Sequence, residues 1–332
     1  MKKELAIIIL NWNGRRLLEE FLPTVVATSI SERSDLFVVD NGSEDDSVEY
    51  VREHFPEVNL IEYQKNYGFA EGYNKAIETI RYPYSLLLNS DVAVKEGWWE
   101  PLLDFIKSHK EAGAVQPKIK SYREPEKFEY AGAAGGLLDS LGYPYCRGRV
   151  FSKIAEDKGQ YDGEATEIAW ASGAAMLVDT EAFLKVGGLD RRFFAHMEEI
   201  DLCWRLMLEG YKIYFVPDSE VYHLGGASLN YGNPKKTYLN FRNNLLLLHK
   251  NLPKKKGMRK LFVRRLADSL AFLMFALTGK SKDAGAVLKA HNDFKKMRHY
   301  YDNQPDKDIM KQIPGTKRNI LISDFFARKP RV

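Results

Sequence analysis

The sequence predicts an α/β protein with a mainly parallel sheet flanked by helices, followed by a C-terminal helical and basic appendage. Three observations support this prediction: short apolar runs alternate with helical patterns, turn residues follow the apolar runs, and the composition becomes basic near residue 250. The chain has 332 residues, of which 45% are hydrophobic, so it can build a large core. We expect a main domain over residues 1–250 and the appendage over residues 251–332.

Two β-α-β units open the chain. Their strands are predicted as short apolar runs, and their helices as segments with apolar residues at helical spacing. The predicted strands cover residues 6–10, 36–39, 59–63 and 84–88, and the predicted helices cover residues 15–30, 45–54 and 70–80. Ligands of such sheets gather at the carboxyl ends of the strands, so functional residues are expected there.

The second half of the main domain is less regular. Residues 130–149 are rich in glycine and tyrosine, which predicts loops and short strands that shape one side of a cleft. Further on, the pattern predicts a strand at 174–178, a helix at 180–186, a helix at 197–209 that Gly210 ends in a left-handed conformation, and a strand at 212–216.

Cysteine content and the amino terminus indicate the compartment. Cys146 and Cys203 are too few for a disulfide framework or a cysteine metal cluster, and a reducing compartment is the natural interpretation. The first apolar run is cut short at Asn11, and no cleavage site follows it. A buried strand therefore fits better than a signal peptide, and the protein is expected in the cytoplasm.

Polar motifs follow the second and third predicted strands. Asp40 begins the turn at 40–43, which can face a nucleobase edge or can be an ordinary turn whose serine caps the next helix. Asn66, Gly68 and Asn74 lie at the start of the helix that follows the third strand. Glycine there allows close approach to a ligand, and the backbone amides of a helix start attract an anion.

Asn89, Ser90 and Asp91 follow the fourth predicted strand. Side chains two residues apart on an extended segment share a face, so Asn89 and Asp91 can bind a hard cation that bridges a diphosphate. A plain turn is the alternative. His223 stands at a strand end before two glycines, where an imidazole can reach a metal, although a lone histidine is more often structural.

Glu198 and Glu199 begin the helix predicted at 197–209. Carboxylates there interact favourably with the helix dipole, and Asp201 and Arg205 are spaced for a structural ion pair. In a partly dry cleft, however, one carboxylate would have a raised pKa and would suit a general base.

Five segments form an ordered set: FVVDNGS, KNYGFAEGYNKAI, LLLNSDV, ASGAAMLV and GGLDRRFFAHMEEIDLCWRLMLEGYKIYFVPDSEVYHLGGAS. In this order and at these separations they closely resemble glycosyltransferase family 2 enzymes with the Rossmann-like GT-A fold. The resemblance is strongest to the rhamnosyltransferase-like branch of bacterial polysaccharide assembly, and it covers about residues 4–250.

The resemblance implies roles for individual donor-binding residues. Asp40 is similar to the family's base-recognising aspartate, and Asn66 and Gly68 resemble the segment that lines the nucleotide and sugar. The triplet at 89–91 resembles the DxD metal motif, with Asp91 at its metal-binding last acid and asparagine in place of the first. The full set expected to bind the donor is Asn11, Asp40, Asn66, Gly68, Asn74, Asn89, Ser90 and Asp91.

The resemblance also implies the metal site and the base. His223 resembles the third metal ligand, and Arg242-Asn243 matches a further family segment. Glu198 and Glu199 take the place of a Glu-Asp pair whose second member is the usual catalytic base. Glu199 is therefore the expected base, although glutamate stands where aspartate is usual, and Glu198 is the alternative.

The implied reaction is an inverting sugar transfer in cell-surface polysaccharide assembly. The donor would be a nucleotide diphosphate sugar, with dTDP-rhamnose or a UDP-sugar as candidates, and the acceptor a hydroxyl of a glycan or a lipid-linked molecule. A divalent cation, Mn²⁺ or Mg²⁺, at Asp91 and His223 would neutralise the departing diphosphate while Glu199 takes the proton of the attacking hydroxyl.

Two other classes of protein are alternatives. A nucleotidyltransferase would share the sheet and the metal, but it normally needs a glycine-rich, basic loop after its first strand, where this chain has one glycine. A noncatalytic protein that binds a nucleotide sugar or nucleic acid would fit the basic tail and the departures at Asn89 and Glu199. Phe262, Phe272 and Phe275 lie among aliphatic residues rather than among cations, which favours a lipid surface over nucleic acid.

The appendage is expected to hold the protein on an anionic membrane, at its inner face, without spanning it. Residues 250–332 carry 21 Lys and Arg against 7 Asp and Glu, whereas the rest carries 28 against 38. The apolar run at 266–277 contains Asp268 and is about a dozen residues long, where a span needs roughly 20. Cations flank it, as an interfacial helix requires: Lys254, Lys255, Lys256, Arg259, Lys260, Arg264, Arg265, Lys280 and Lys282. The alternative is a helix packed on the main domain with a solvated basic face.

Overall fold

The computed structural model describes residues 3–225 and 233–325, with side chains up to residue 323. Its amino-terminal part consists of the two predicted β-α-β units, with bounds within two residues of the predicted ones. Helices and strands follow each other as β1 (Leu5–Asn11), α1 (Arg15–Ser29), β2 (Ser34–Asp40), α2 (Ser47–His54), β3 (Asn59–Glu62), α3 (Gly68–Ile80) and β4 (Tyr84–Leu88).

These four strands run parallel in the order β3-β2-β1-β4. Both faces of β1 are buried: Ile7 belongs to an apolar cluster with α1, and Ile8 to a second cluster with α3. Burial on both faces is why β1 appears in the sequence as a continuous apolar run. The polar residues that end β1 and β2, Asn11 and Asp40, are neighbours in register at the carboxyl edge of the sheet.

The remaining elements extend this sheet and add a small second one. β12 lies antiparallel between β4 and β6, β13 runs parallel to β6, and β11 and β5 pair antiparallel with β13. β7 to β10 form the small antiparallel sheet. Their bounds are β5 (Val92–Val94), α4 (Glu100–Ser108), β6 (Ala112–Ser121), β7 (Gly136–Leu138), β8 (Pro144–Cys146), β9 (Arg149–Val150), β10 (Lys153–Ile154), β11 (Thr166–Ile168), β12 (Ala175–Asp179), α5 (Thr180–Lys185), α6 (Glu198–Leu208), β13 (Lys212–His223), α7 (Pro234–Asn251), α8 (Lys254–Leu277) and α9 (Ser281–Met297).

β13 is longer than the strand predicted at 212–216. Pro217 favours a break, because proline removes a hydrogen bond from the ladder. The ladder with β6 instead shifts register between Val216 and Glu220 and then continues to His223. The irregularity accommodates the proline, and it delivers His223 to the end of a long strand. The motif after His223 continues at 226–228, which lies outside the described residues.

Other features of the second half follow the prediction. Gly210 has a φ of 94° directly after α6, a conformation that glycine adopts without strain. Residues 130–149 form loops around the short strands β7 and β8.

The C-terminal helices α7, α8 and α9 pack on one another, and α7 also contacts α6. One apolar cluster crosses residue 250: it joins Leu245 of α7, Leu261 of α8 and Phe294 of α9 to Ile8 of β1. The division into 1–250 and 251–332 stays a prediction. Among the helices within residues 3–225 and 233–325, none is long and apolar enough to cross a membrane.

Candidate active site

Polar side chains at the ends of β1 and β2 form one hydrogen-bonded group. Asn11 Nδ2 donates to Asp40 Oδ1 at 3.1 Å and to Ser43 Oγ at 3.3 Å. Ser43 in turn donates to both carboxylate oxygens of Asp40, from its amide at 2.9 Å and from its hydroxyl at 2.5 Å. These contacts hold Asp40 in a fixed orientation at the edge of the sheet, and the contact of Asn11 with the donor stays a prediction.

Asn41 links this group to the segment that begins α3. Its Nδ2 donates to Asn66 Oδ1 at 3.0 Å. The two turns approach so closely that a Cβ atom at Gly42, which has a φ of 72°, would lie 2.5 Å from the backbone of Lys65. Glycine is required here for both its conformation and its size. The sequence placed Asn41 in the motif but did not reveal this long-range role.

Gly68 and Asn74 occupy the first part of α3. Gly68 has a φ of 78°, and its amide donates to Asn66 Oδ1 at 2.7 Å. Asn74 uses both ends of its side chain on the backbone of Leu189, donating to the carbonyl and accepting from the amide, each at 2.8 Å. Asn74 therefore ties α3 to the loop before α6. Its predicted contact with the donor stays a prediction.

Asp91 and His223 are 132 residues apart in the sequence and touch in the fold. His223 Nε2 lies 3.0 Å from Asp91 Oδ1, and both side chains are buried. Asn89 Nδ2 lies 3.5 Å from the same imidazole nitrogen, and Ser90 is half-buried in the turn between them. A second carboxylate, Glu129, places Oε2 at 3.7 Å from His223 Nδ1.

The carboxylates determine the charge of His223. Burial opposes a charged imidazole, but the contacts with Asp91 and Glu129 raise the pKa of His223 to about 10. The imidazole of His223 therefore favours its protonated form between these two acids, and a cation bound there would have to displace that proton. Within the described part of the chain, no three His, Cys, Asp or Glu side chains are arranged to hold a metal unaided. The sequence analysis missed Glu129, which precedes the irregular segment and belongs to none of the motifs.

Glu198 and Glu199 lie in the first turn of α6, as predicted. Burial raises the pKa of Glu199 to about 7. Burial and the neighbouring charge of Glu199 raise the pKa of Glu198 well above its usual value. Glu198 Oε2 has no hydrogen-bond partner among the residues described. Glu199 thus titrates near neutral pH, as a general base should, whereas the raised pKa of Glu198 favours its protonated form.

The turn before this pair is strained. Phe194, His196 and Met197 have φ values of 68°, 66° and 77°, in the left-handed region that residues other than glycine rarely adopt. Such backbone persists only where the surroundings hold it, and it is concentrated at functional sites.

Arg242 and Asn243 of α7 hold this turn. Arg242 Nη2 donates to the carbonyl of Phe193 at 2.8 Å. Asn243 Nδ2 lies within hydrogen-bonding distance of three carbonyls of the turn, at 2.9, 2.9 and 2.7 Å: those of Phe193, Ala195 and His196. The resemblance matched Arg242-Asn243 to a family segment but gave it no role. In the structure, these two residues support the turn that leads to Glu198 and Glu199.

A second polar network anchors the body of α6. Asp201 accepts from Arg205 Nε at 2.8 Å, which confirms the expected ion pair. Lys250 at the end of α7 bonds both Asp201 and Asp190, at 2.7 and 2.8 Å, and the hydroxyl of Tyr301 donates to Asp190 at 2.9 Å. Lys250 and Tyr301 thereby connect the C-terminal part of the chain to α6 and to Asp190, in the loop that leads to the glutamate pair.

Comparison with solved structures identifies the architecture. The chain superposes on GalNAc-T7 in complex with UDP, GalNAc and Mn²⁺ with a TM-score of 0.58 at 15% identity, over 76% of this chain and 49% of that one. The chain thus spans about half the length of that neighbour, and the likeness concerns the fold. The sheet is mixed rather than mainly parallel, because β5, β11 and β12 pair antiparallel with their neighbours. With its first four strands parallel and helices on its faces, it has the predicted GT-A fold.

The sequence comparisons give the family. Residues 6–179, more than half of the chain, match the model of glycosyl transferase family 2, and the chain belongs to this family. Over 241 residues it is 27% identical to the N-acetylglucosaminyl-diphospho-decaprenol L-rhamnosyltransferase of Mycobacterium tuberculosis. The matched region covers 67% of this chain and 76% of the relative. The chain is 28% identical to the rhamnosyltransferase WbbL of Escherichia coli over 166 residues, 47% of this chain and 61% of the relative. The predicted rhamnosyltransferase-like branch is confirmed.

Proposed function

We propose that this chain is a metal-dependent, inverting glycosyltransferase that uses a nucleotide diphosphate sugar. The observation that carries the proposal is the buried contact between Asp91 and His223. It brings a carboxylate and an imidazole together at the sheet edge where Asp40 is also held. Asp40 would recognise the nucleobase, and Asn66 and Gly68 would line the nucleotide and the sugar.

Asp91 and His223 fit a divalent cation that is shared with the donor. Oxygen and imidazole nitrogen together suit Mn²⁺, whereas Mg²⁺ prefers oxygen alone. Two protein ligands are too few for either ion, so phosphate oxygens of the donor would complete the set. When bound, the cation supplies charge neutralisation for the departing diphosphate. The GalNAc-T7 neighbour, which contains UDP and Mn²⁺, supports this proposal.

Glu199 is the proposed base. A carboxylate whose pKa is about 7 accepts a proton readily near neutral pH, yet it is deprotonated in a large fraction of molecules. Glu199 would take the proton of the acceptor hydroxyl as that oxygen attacks the anomeric carbon from the side opposite the diphosphate. One displacement inverts the configuration. Glu198 is the alternative base, and its deeper burial makes it less accessible to an acceptor hydroxyl than Glu199.

The acceptor is proposed to be a hydroxyl of a glycan or of a lipid-linked molecule, in cell-surface polysaccharide assembly. The mycobacterial relative is named for a diphospho-decaprenol acceptor and for L-rhamnose, which makes dTDP-rhamnose the first candidate donor, before a UDP-sugar. A lipid-linked acceptor would place the enzyme in the cytoplasm, at the inner face of the membrane.

A donor screen tests the proposal. The full-length chain is incubated with a panel of nucleotide sugars and Mn²⁺ or Mg²⁺, and the release of nucleoside diphosphate is followed. We expect one donor to be consumed with metal, and none by Asp91→Ala. Unchanged donors with a folded protein would refute the proposed activity and favour a noncatalytic binding protein. Release of pyrophosphate from a nucleoside triphosphate would indicate a nucleotidyltransferase.

A further inference from the structure

Helix α8 turns charged residues inward and apolar residues outward. On its inner face, Arg264 and Asp268 are 2% and 1% exposed and form an ion pair at 3.8 Å. The guanidinium of Arg264 stacks 3.4 Å from the ring centre of Tyr143, and His291 of α9 contacts Asp268 at 3.1 Å. Surface helices in water show the opposite polarity. Arg264, counted in the sequence among the flanking cations, is therefore buried and cannot reach a lipid.

The outward face of α8 carries an apolar band, which we call the outer stripe. Its side chains are between 51% and 87% exposed, and they recur every three or four residues, so they lie along one side of the helix. The outer stripe consists of Phe262, Leu266, Leu270, Leu273 and Leu277. It is about 22 Å long, and an exposed apolar patch of this extent marks an interaction surface.

The surroundings of the outer stripe are cationic. Within the described stretch 254–300, every Asp is buried or half-buried, whereas most Lys and Arg side chains are exposed. Those at the two ends and the side of the stripe are Lys254, Lys255, Arg259, Arg265, Lys280 and Lys282. A second copy packed on this face by two-fold symmetry would bring like charges together. An anionic lipid surface complements both the apolar and the cationic parts.

We propose that the outer stripe of α8 docks this protein on an anionic lipid bilayer, with the helix lying in the plane of the interface. The apolar side chains enter the boundary of the acyl chains, and the flanking cations contact lipid phosphates. The inference deepens the proposed function, because a lipid-linked acceptor would be found at the same surface. Vesicle binding tests the docking without any measurement of sugar transfer.

Flotation of the full-length protein with vesicles measures the docking. We expect it to float with phosphatidylglycerol-containing vesicles and to remain behind with phosphatidylcholine vesicles. The bound fraction should fall as salt rises, because screening weakens the contacts with phosphate. Failure to float with anionic vesicles at low salt would refute the proposal.

Two variants and two controls separate the contributions. Leu266→Ser combined with Leu270→Ser and Leu273→Ser removes apolar contact, and Arg259→Glu with Arg265→Glu reverses flanking charge. Each should lower vesicle affinity about tenfold or more. Ile154→Ser with Ile322→Ser, and Lys110→Glu with Lys158→Glu, make equivalent changes at exposed positions outside α8 and should bind as the unchanged protein does. Equal losses in controls and variants would contradict a specific face.

A label tests the orientation even if the triple variant folds poorly. Both native cysteines are buried, so Leu273→Cys can be labelled selectively with a polarity-sensitive dye. Its emission should shift to the blue on anionic vesicles, whereas a label at Lys110→Cys should not respond. An unshifted label, or a lipid-free dimer that the triple variant abolishes, would overturn the proposal. Donor hydrolysis without vesicles reports the proposed function separately, since these variants leave its residues intact.

Discussion

Glu198 and Glu199 are neighbours with the same side chain in the first turn of α6, and Glu199 is the less buried of the two. Glu199→Gln should lower turnover about 10²–10⁴-fold and leave donor affinity unchanged, because an amide cannot accept the proton. Glu198→Gln is the matched control, because it makes the same substitution in the same turn of α6. Turnover and donor affinity are measured separately for both variants. An inactive Glu198→Gln beside an active Glu199→Gln would reverse the assignment.

The raised pKa of Glu199 also predicts a pH profile. Below a pH of about 7 the carboxylate is protonated and cannot act as a base, and above it the base is available. Turnover at saturating donor and acceptor should therefore rise with pH through about 7. This rise of turnover with pH should be absent from the residual activity of Glu199→Gln. If that variant shows the same rise, the titrating group lies elsewhere.

Asp91 should control donor binding rather than proton transfer. Calorimetry of donor binding should show that EDTA abolishes affinity in the unchanged protein and that Asp91→Ala abolishes it with metal present. Asp218→Ala is the control, because it removes an exposed acid from β13, the strand of His223. Undiminished affinity in EDTA would eliminate the metal, and cationic side chains would then have to bind the diphosphate.

At the scale of elements, α7 and the strained turn before α6 act together. Asn243→Ala removes the support of three carbonyls and should lower turnover about 10–100-fold by displacing the glutamate pair. Asn244→Ala is matched to it, because Asn244 is also buried and donates to the carbonyl of Gly142 at 2.8 Å, while its contact with the turn is a single weak one to the Met197 sulfur at 3.8 Å. Each variant should lose roughly 1–3 kcal/mol of unfolding free energy.

Comparison of these two variants separates support from stability. Denaturant unfolding and turnover are measured on the same preparations. Equal turnover losses would show that Asn243 only stabilises the fold, and would remove its positioning role.

Sequence patterns predicted local elements well and long-range contacts poorly. β1 and β4 are buried on both faces, so each appears as an apolar run, and the bounds of the first four strands were found within two residues. β13 was underestimated because a register shift that accommodates Pro217 depends on its partner β6. The strand-end residues Asp40 and Asp91 were found because motif and strand end coincide. The contact of Glu129 with His223 and the support of the turn by Asn243 were not predicted, because each joins residues that are far apart in the sequence.

At the scale of the whole molecule, the shared apolar cluster opposes independence of the C-terminal segment. A chain that ends at residue 250 would lose Leu252, Leu261, Phe294 and Ile313 from this cluster. Each lost buried side chain of this size costs about 2–5 kcal/mol, and a domain is stabilised by only about 5–15 kcal/mol in total.

The shortened chain should therefore be insoluble or unfold at a much lower temperature, as scanning calorimetry would show. A chain that ends at residue 325 keeps every described element and serves as the control. A soluble 1–250 fragment with an unchanged unfolding temperature would instead support two separate domains.

The outer stripe of α8 has a kinetic consequence. An enzyme that rests on a bilayer searches for a lipid-linked acceptor in two dimensions. The concentration that governs its rate is therefore the mole fraction of acceptor among the lipids of that surface. Adding inert lipid at constant acceptor would then slow transfer by surface dilution, although the bulk concentration of acceptor is unchanged. A short, water-soluble acceptor would escape this dilution, since it reaches the glutamate pair from bulk solution.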